Sequence, residues 1–339
     1  MRKLSSIVVA LAFAAAFTAA TAQGLLQQVQ DRGHLVCGVN NQLPGFGVQL
    51  ADGSFEGFDV DYCRAVAAAV FGDADAVEFR ALSAQERFTA VQTGEVDVLI
   101  RNTTWTSSRD SSVGLNFAPT TFYDGQGFMV KRASGITSLQ DLEGSSICVQ
   151  SGTTTELNLA DVMAALGIEY TPVIMETADQ AIASYDANQC EAYTTDVSGL
   201  ISRTPTLQDP EGSMILPQTI SKEPLGPAVL HGDDQWFDVV KWVVFATFEA
   251  EEYGITSENA SELRESSQNP SVQRILGVEG NLMEQLGLDQ DAMYNVITQV
   301  GNYGEIFDRH LGPDTPFDME RGLNALYTEG GLIYGMPFR

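Results

Sequence analysis

Short apolar runs alternate with amphipathic segments along the chain, and this alternation predicts strands separated by helices. Residues 35–39 form an apolar run that ends at two asparagines, which predicts a strand followed by a turn. Residues 62–71 have apolar side chains at helical spacing and stop at Gly72. Residues 83–86 form a capping box that predicts the start of another helix. Residues 96–100 then read as the next strand.

The same order of elements recurs later in the chain. Residues 147–150 predict a strand, and a polar loop follows it. The helix after this loop has four apolar residues on one face: Leu159, Val162, Met163 and Leu166. A second capping box at residues 177–180 opens a helix that leads to a strand over residues 190–193. The repetition predicts two similarly built α/β lobes with mostly parallel sheets.

Two stretches rich in glycine and proline bracket the second copy. Residues 123–127 contain two glycines, and residues 222–227 contain two prolines and a glycine. Each stretch alone reads as a plain loop. Together they would let the C-terminal part of the chain return to the first lobe, which predicts a hinge with two crossings.

The N terminus has the pattern of a secretory signal peptide. A positively charged start precedes an apolar run over residues 7–17, and residues 20–22 form an Ala-x-Ala cleavage signal. A membrane anchor is the alternative, but the run is shorter than the ~20 apolar residues that a spanning helix needs. A later apolar run, over residues 239–248, is interrupted by Lys241 and predicts a buried helix. We therefore expect cleavage before Gln23 and a soluble product without a lipid anchor.

Composition narrows the function classes. The 339 residues include 18 basic and 45 acidic side chains, a formal net charge of −27. Removal of residues 1–22 leaves 16 basic and 45 acidic side chains, a net charge of −29. A nucleic-acid binder needs clustered positive charge, and so does a protein with a basic membrane-binding face, so both classes are disfavoured. The length favours two lobes over one small domain.

The cysteines predict disulfide bonds. Export makes such bonds possible, and four cysteines remain after cleavage. Four cysteines allow three pairings, and spacing alone does not choose between them. A zinc site is the rival reading, but it needs ligands close together in the sequence, whereas Cys37, Cys63, Cys148 and Cys190 are scattered.

Polar side chains follow two of the predicted strands, where ligands of open α/β sheets gather. Residues 101–110 are rich in hydroxyl and amide groups, and Arg109 among them can bind a carboxylate with two hydrogen bonds. Thr194, Thr195 and Asp196 follow the other strand, and this carboxylate suits an ammonium group. The alternatives are a solvated turn for the first segment and a helix N-cap for Asp196. Together the segments predict a ligand with both charges that bridges the two lobes.

These segments together resemble the family 3 solute-binding proteins, the periplasmic amino-acid-binding proteins of ABC importers. The match covers nearly all of the chain after the leader, in residues 57–61, 86–88, 94–97, 104–109, 150–154 and 192–196. Tyr62 is a mild departure from the signature. Residues 123–127, 221–228 and 299–305 are similar to the general L-amino-acid-binding subgroup. The resemblance implies a protein of the Gram-negative periplasm that captures free L-amino acids and delivers them to an ABC permease, without being an enzyme.

The resemblance also implies the fold. This is a two-lobed periplasmic-binding-protein fold of type II, in the α/β class, with two mostly parallel sheets joined by a two-crossing hinge. The first lobe would comprise residues 23–123 and 228–339, and the second residues 128–222. Residues 124–127 and 223–227 would form the hinge.

Site residues are carried over from the resemblance by position. Arg109 is implied to hold the α-carboxylate, helped by the Thr104 hydroxyl, by the backbone at Asn102 and by Thr154. Thr154 lies near the start of a helix, where N–H groups favour an anion. Asp196 is implied to bind the α-ammonium group.

Further positions are implied to contact the side chain of the ligand. Asn40 and Gln150 lie where relatives often touch it, and Thr153 completes the set beside the helix start. Ala84 stands where many relatives have an aromatic ring that sandwiches the ligand. A missing ring leaves a roomier wall, from which we expect broad specificity.

Mechanism and cysteine pairing follow from the same resemblance. Closure about the two crossings would bring Asp196 onto the ligand and expel water. We expect disulfides within lobes, between Cys37 and Cys63 and between Cys148 and Cys190, because a bond between lobes would lock the hinge. We expect a monomer with no metal and no cofactor.

An enzyme is the alternative, namely a periplasmic dehydratase acting on a prephenate-like cyclic acid, because some proteins of this fold have that activity. The histidines are dispersed and no nucleophile motif occurs, which disfavours it. Acidic clusters at residues 233–234 and 289–291 lack the pattern of a calcium loop. Residues 251–289 read as an insertion and residues 313–339 as a C-terminal extension, with no predicted role.

Overall fold

The computed structural model describes residues 23–339, and the signal peptide predicted over residues 1–22 lies outside the described residues. The strands are β1 (Leu35–Val39), β2 (Gln42–Leu43), β3 (Gly47–Gln49), β4 (Phe55–Glu56), β5 (Val77–Ala81), β6 (Val98–Leu99), β7 (Leu115–Phe117), β8 (Phe122–Asp124), β9 (Gln126–Lys131), β10 (Ser146–Gln150), β11 (Thr171–Met175), β12 (Ala192–Asp196), β13 (Ser213–Ile215), β14 (Glu223–Leu225) and β15 (Ala228–Leu230). The helices are α1 (Leu25–Arg32), α2 (Phe58–Phe71), α3 (Arg87–Gln92), α4 (Ser107–Ser111), α5 (Thr154–Leu166), α6 (Ala178–Asp186), α7 (Val197–Arg203), α8 (Asp234–Glu252), α9 (Ala260–Ser266), α10 (Pro270–Ile275), α11 (Leu282–Gln285), α12 (Ala292–Gln299) and α13 (Tyr303–His310). None of the helices in residues 23–339 combines the length and the apolar character that crossing a membrane requires.

Two five-stranded sheets share one plan. The first sheet has the order β5-β1-β6-β15-β7, and the second has the order β11-β10-β12-β9-β13. In each sheet the fourth strand, β15 or β9, runs antiparallel to both neighbours, and the other strands share one direction. The prediction of two similarly built, mostly parallel sheets is confirmed. We call the parts built on these sheets the first lobe and the second lobe.

The chain passes between the lobes twice, and the two crossings lie side by side. β8 and β14 pair antiparallel, with Asp124 opposite Glu223. β15 follows the second crossing and joins the first sheet, so the chain returns to the first lobe after it. A two-stranded ribbon of this kind is a geometry about which two lobes can rotate. The residue-by-residue lobe boundaries stay a prediction.

Helix α2 is the central helix of the first-lobe core and begins earlier than its apolar pattern predicts. Its N-cap, Gly57, has a φ of 138°, and a Cβ there would lie 2.2 Å from the carbonyl oxygen of Phe46. Only glycine allows this close approach, and it lets the helix start at Phe58. The ring of Phe58 packs edge-on against Phe122, 6.0 Å away between centroids. The helix ends at Gly72 as predicted, with a φ of 70°.

Element ends and faces differ from the sequence-based prediction in three places. The strand predicted at residues 96–100 is limited to β6 (Val98–Leu99). In α5, Leu159 and Met163 are buried, but Leu166 is 46% exposed, because the helix buries a narrower stripe than four apolar residues suggest. The strand predicted at residues 190–193 runs as β12 to Asp196, so the polar residues form its second half.

Both disulfides lie within lobes, as predicted. Cys37 of β1 pairs with Cys63 of α2, with 6.0 Å between their Cα atoms. Cys148 of β10 pairs with Cys190, just before β12, with 5.7 Å between their Cα atoms. Each bond therefore joins elements of one lobe and leaves the crossings unconstrained.

Replacing Cys37 and Cys63 together with alanine is expected to lower the free energy of unfolding by about 3.5 kcal/mol, because the bond closes a 26-residue separation in the unfolded chain. Urea unfolding followed by circular dichroism measures this change. Ligand affinity should stay within about threefold, since neither cysteine lines the cleft described below. An unchanged urea midpoint would contradict the prediction.

The C-terminal extension packs on the first lobe and reaches the first crossing. The Asn324 side chain accepts a hydrogen bond from the backbone N–H of Tyr123 at 2.6 Å and donates one to its carbonyl oxygen at 3.1 Å. Arg321 forms two hydrogen bonds with the carboxylate of Glu251, at 3.0 and 3.1 Å. The extension is therefore fastened both to α8 and to β8.

Candidate functional site

A cleft between the lobes contains most of the predicted site residues. Its volume is about 530 Å³, including its opening to solvent. Strands of both sheets end at it, as expected for an α/β protein. The predicted residues that line it are Asn40, Asn102, Thr104, Gln150, Thr153, Thr154 and Asp196. Arg109 is the predicted residue that is not among the lining residues.

Asn102 lies on the first-lobe side of the cleft in a left-handed conformation, with a φ of 32°. Its backbone N–H donates to the carboxylate of Asp59 at 2.6 Å, and its side-chain oxygen accepts a hydrogen bond from Asn40 at 3.1 Å. Burial raises the pKa of Asp59 to about 7, although the Asn102 N–H and Arg101 favour its charged form. The acidic residue of the α2 signature thus holds the loop that carries Asn102.

Arg109 contacts the cleft through Thr104. It lies in α4, whose N-cap Thr106 accepts a hydrogen bond from the Arg109 N–H at 3.3 Å. Its guanidinium is buried, donates from Nη1 to the carbonyl oxygen of Thr104 at 2.7 Å, and lies 5.0 Å from the centre of the Phe88 ring. Burial lowers the pKa of Arg109 to about 10, and Glu223 opposes this shift. The side chain remains a cation at neutral pH.

Asp196 is a buried acceptor on the second-lobe side. It occupies the N-cap position of α7 but makes no capping hydrogen bond, so the alternative prediction that it caps this helix is wrong. Burial raises the pKa of Asp196 well above its usual range, and the nearby carboxylates Asp124 and Glu223 raise it further. A cation placed beside it would reverse this penalty.

Glu223 is a functional candidate that the sequence-based prediction missed. It is buried at the start of β14, and its carboxylate accepts hydrogen bonds from the hydroxyls of Thr104 at 2.7 Å and Thr154 at 2.9 Å. The side chains of Asn158 and Ser221 also donate to it, at 2.7 and 2.5 Å. A hydroxyl has one hydrogen to donate, so both threonine oxygens keep only acceptor capacity towards a ligand.

Second-lobe residues form the N terminus of α5. Thr153 caps the helix, accepting from the Glu156 N–H at 3.2 Å, and donates its own hydroxyl to the Gln150 carbonyl oxygen at 2.7 Å. Within residues 23–339, neither the Thr154 backbone N–H nor that of Thr104 donates a hydrogen bond. Two backbone donors, one from each lobe, are therefore free to bind an anion.

The family model for bacterial extracellular solute-binding proteins, family 3, matches residues 35–312. The chain belongs to this family. The general L-amino acid-binding periplasmic protein of Rhizobium johnstonii is 50% identical over 339 residues, covering 99% of each chain. The glutamate/glutamine/aspartate/asparagine-binding protein of Rhodobacter capsulatus is 48% identical over 337 residues, covering 99% of this chain and 100% of its own.

A solved structure has the same fold as this solute-binding protein. The ABC transporter periplasmic binding protein from Brucella ovis, with glutathione bound, is 52% identical, with a TM-score of 0.91 over 94% of this chain and 100% of its own. The two-lobed type II fold predicted from the resemblance is confirmed. The family and its close relatives are binding proteins and not enzymes, so the dehydratase alternative has no support.

The two lobes of the solute-binding protein touch on both sides of the cleft. Gln85 donates to the Ser151 hydroxyl at 2.9 Å, and Arg203 donates to the carbonyl oxygen of Gln42 at 2.7 Å. Ala84 is buried and is not among the lining residues, so its small side chain does not widen the cleft in this arrangement. Within residues 23–339, no three His, Cys, Asp or Glu side chains are placed to hold a metal ion.

Proposed function

We propose that this solute-binding protein captures free L-amino acids in the periplasm, with broad side-chain specificity, and delivers them to the permease of an ABC importer. The observation that carries the proposal is the buried carboxylate of Asp196, which makes no capping hydrogen bond to α7 and lies at a cleft that also has free backbone donors. An α-amino acid has the matching pair of charges. The names of the Rhizobium and Rhodobacter relatives support the same ligand class.

The geometry supports a modified assignment of roles. The backbone N–H groups of Thr104 and Thr154, with Arg109, bind the α-carboxylate. Asp196 binds the α-ammonium group, and the Thr104 hydroxyl oxygen helps as an acceptor, because its hydrogen is already donated to Glu223. This differs from the donor role that the resemblance implies for that hydroxyl.

Residues outside the charged groups contact the ligand side chain. Asn40 and Gln150 line both the cleft and an adjoining groove and are assigned this part. Thr153 acts through α5, whose first turn it caps. Because the charged contacts involve only atoms that all α-amino acids share, affinity does not require one particular side chain.

Binding drives closure in this proposal. The ligand makes contacts with both lobes only when they are closed, so its affinity for the closed state shifts the equilibrium towards it. The closed monomer is then the form that the permease recognises. Export through the cleaved N-terminal leader places the protein in the periplasm.

Isothermal titration calorimetry of refolded mature protein tests the proposal. Refolding removes ligand that purifies with the protein. We expect several L-amino acids to bind, with binding lost for the decarboxylated amines and weakened for D-isomers. Absence of heat across the whole L-amino acid panel would overturn the proposal.

Glutathione is a second candidate ligand, because the similar structure from Brucella ovis has it bound. Its γ-glutamyl group carries the same α-ammonium and α-carboxylate groups as a free amino acid. The calorimetric panel therefore includes glutathione. If glutathione binds and no free amino acid does, the ligand of the protein is this peptide and the proposal of free amino acids is wrong.

A further inference from the structure

Two buried arginines at the cleft have no role in binding the common part of an amino acid. Arg87 of α3 and Arg101 after β6 are both nearly inaccessible to solvent, and both line the cleft. Within residues 23–339, neither forms an ion pair with a carboxylate within 4.0 Å. A buried cation without an ion-pair partner is costly. The charge of Asp59 offsets part of this cost for Arg101, so Arg87 above all needs an explanation.

Arg87 is the less satisfied of the two. Its buried Nε has no hydrogen-bond partner among the described residues. Its Nη1 is 3.5 Å from the Thr103 hydroxyl, at the limit of a hydrogen bond. The guanidinium carbon lies 4.8 Å from the centre of the Phe88 ring, which holds the group in place without using its N–H donors. The guanidinium therefore keeps unused hydrogen-bond donors beside the cleft.

Arg101 extends this positive region towards a second groove. Its Nε donates to the Leu82 carbonyl oxygen at 2.6 Å. This hydrogen bond does not use the two terminal nitrogens of the guanidinium. Arg101, Asn40 and Gln150 line both the cleft and an adjoining groove of about 550 Å³. A ligand side chain that leaves the cleft in this direction passes the guanidinium.

The arginines also affect one another electrostatically. The pKa of Arg87 is lowered well below its usual range, first by burial and then by the charges of Arg109 and Arg101. Asp196 of the other lobe opposes this shift. A side-chain carboxylate brought by the ligand would add to this compensation and favour the charged form of Arg87.

We propose that Arg87 and Arg101 form a second anion subsite, which receives a carboxylate carried by the ligand side chain. The inference rests on the proposed amino-acid-binding function and names the ligand class that the protein prefers. L-amino acids with an acidic side chain then bind more tightly than their amides, which have nearly the same shape. Arg87 is the specificity-determining residue of this subsite, and it does not contribute to the α-carboxylate contacts.

L-glutamate and L-glutamine provide the matched test, because they differ mainly in side-chain charge. Titrations at pH 7 compare both ligands with the wild type, with Arg87→Gln and with Arg80→Gln, an exposed arginine of the same lobe. We expect the wild type to prefer glutamate. Arg87→Gln should lose about 10- to 100-fold in affinity for glutamate and no more than about threefold for glutamine, and Arg80→Gln should change neither.

Several outcomes would overturn the inference. One is a wild type that binds glutamine as tightly as glutamate, which needs no variant and so does not depend on the folding of Arg87→Gln. Another is an Arg87→Gln protein, shown by circular dichroism to be folded, that loses affinity for both ligands equally. If neither glutamate nor glutamine binds the wild type while other L-amino acids do, this inference is overturned and the proposed function stands. Absence of binding across the whole L-amino acid panel would overturn the proposed function itself.

Discussion

Replacing Arg109 with alanine is expected to weaken L-amino acid binding at least about 100-fold while the protein stays folded. The buried guanidinium places a positive charge next to Thr104, which lines the cleft, and it donates to the Thr104 carbonyl oxygen at 2.7 Å. The substitution removes the charge and releases the segment whose N–H contacts the ligand. Calorimetry with any L-amino acid that binds the wild type measures the loss.

Two further variants separate charge from position at Arg109. Arg109→Lys keeps a cation but lacks the planar fork, so it should recover only part of the affinity. Arg80→Ala removes an exposed arginine of the same lobe and should leave affinity unchanged. Circular dichroism confirms that each variant is folded. Wild-type affinity in a folded Arg109→Ala protein would refute the assignment.

Replacing Asp196 with asparagine is expected to cause a loss of similar size for every L-amino acid in the panel, at least about 100-fold. Asparagine keeps the shape of the side chain but cannot supply the negative charge that binds the ammonium group. Asp161→Asn, an exposed substitution on α5 of the same lobe, is the control and should bind like the wild type. Unchanged affinity in the Asp196 variant would show that another residue binds the ammonium group.

Proton release on ligand binding distinguishes a direct role of Asp196 in binding from a purely structural role. Burial and the neighbouring carboxylates raise its pKa, and burial raises the pKa of Asp124 to about 6, so in the free protein these acids take up protons at a higher pH than exposed carboxylates do. An arriving ammonium favours the ionised form, so binding releases a proton. Affinity should therefore fall as the pH drops through the raised pKa values, by at most about tenfold per pH unit for one proton. Calorimetry in buffers of different ionisation enthalpy should show this release in the wild type and less of it in Asp196→Asn.

The parts of the fold that depend on neighbours in sequence could be predicted. The capping box at residues 177–180 forms as expected, because its two hydrogen bonds join residues three positions apart. The same holds for the helix end at Gly72, which needs only a positive φ. The start of α2 was predicted too late because the close approach of Gly57 to Phe46 is a tertiary contact without a periodic signal.

The parts of the site that depend on distant contacts could not be predicted. Glu223 meets Thr104 across 119 positions and Thr154 across 69, and nothing around the glutamate in the sequence indicates either partner. Asp196 was singled out correctly as a cleft residue, but its competing role as a helix cap could be rejected only by geometry. Arg87 lies within a segment that carries the family resemblance, and Arg101 begins the polar segment at residues 101–110. Their burial without an ion pair is visible only once the chain is folded.

The hydrogen bonds between Asn324 and Tyr123 make the two crossings mechanically unequal. Both backbone polar groups of Tyr123 in β8 bond to Asn324 of the extension, so we expect this crossing to move with the first lobe up to Tyr123. The changes in backbone dihedral angles that accompany opening are then expected in the residues that follow, from Asp124 to Gly125, and in the facing strand β14. Glu223 lies in that strand, so the bend occurs where its carboxylate holds a threonine of each lobe. Separating the lobes would pull Thr104 and Thr154 apart, so we expect at least one of the two hydrogen bonds to Glu223 to break on opening.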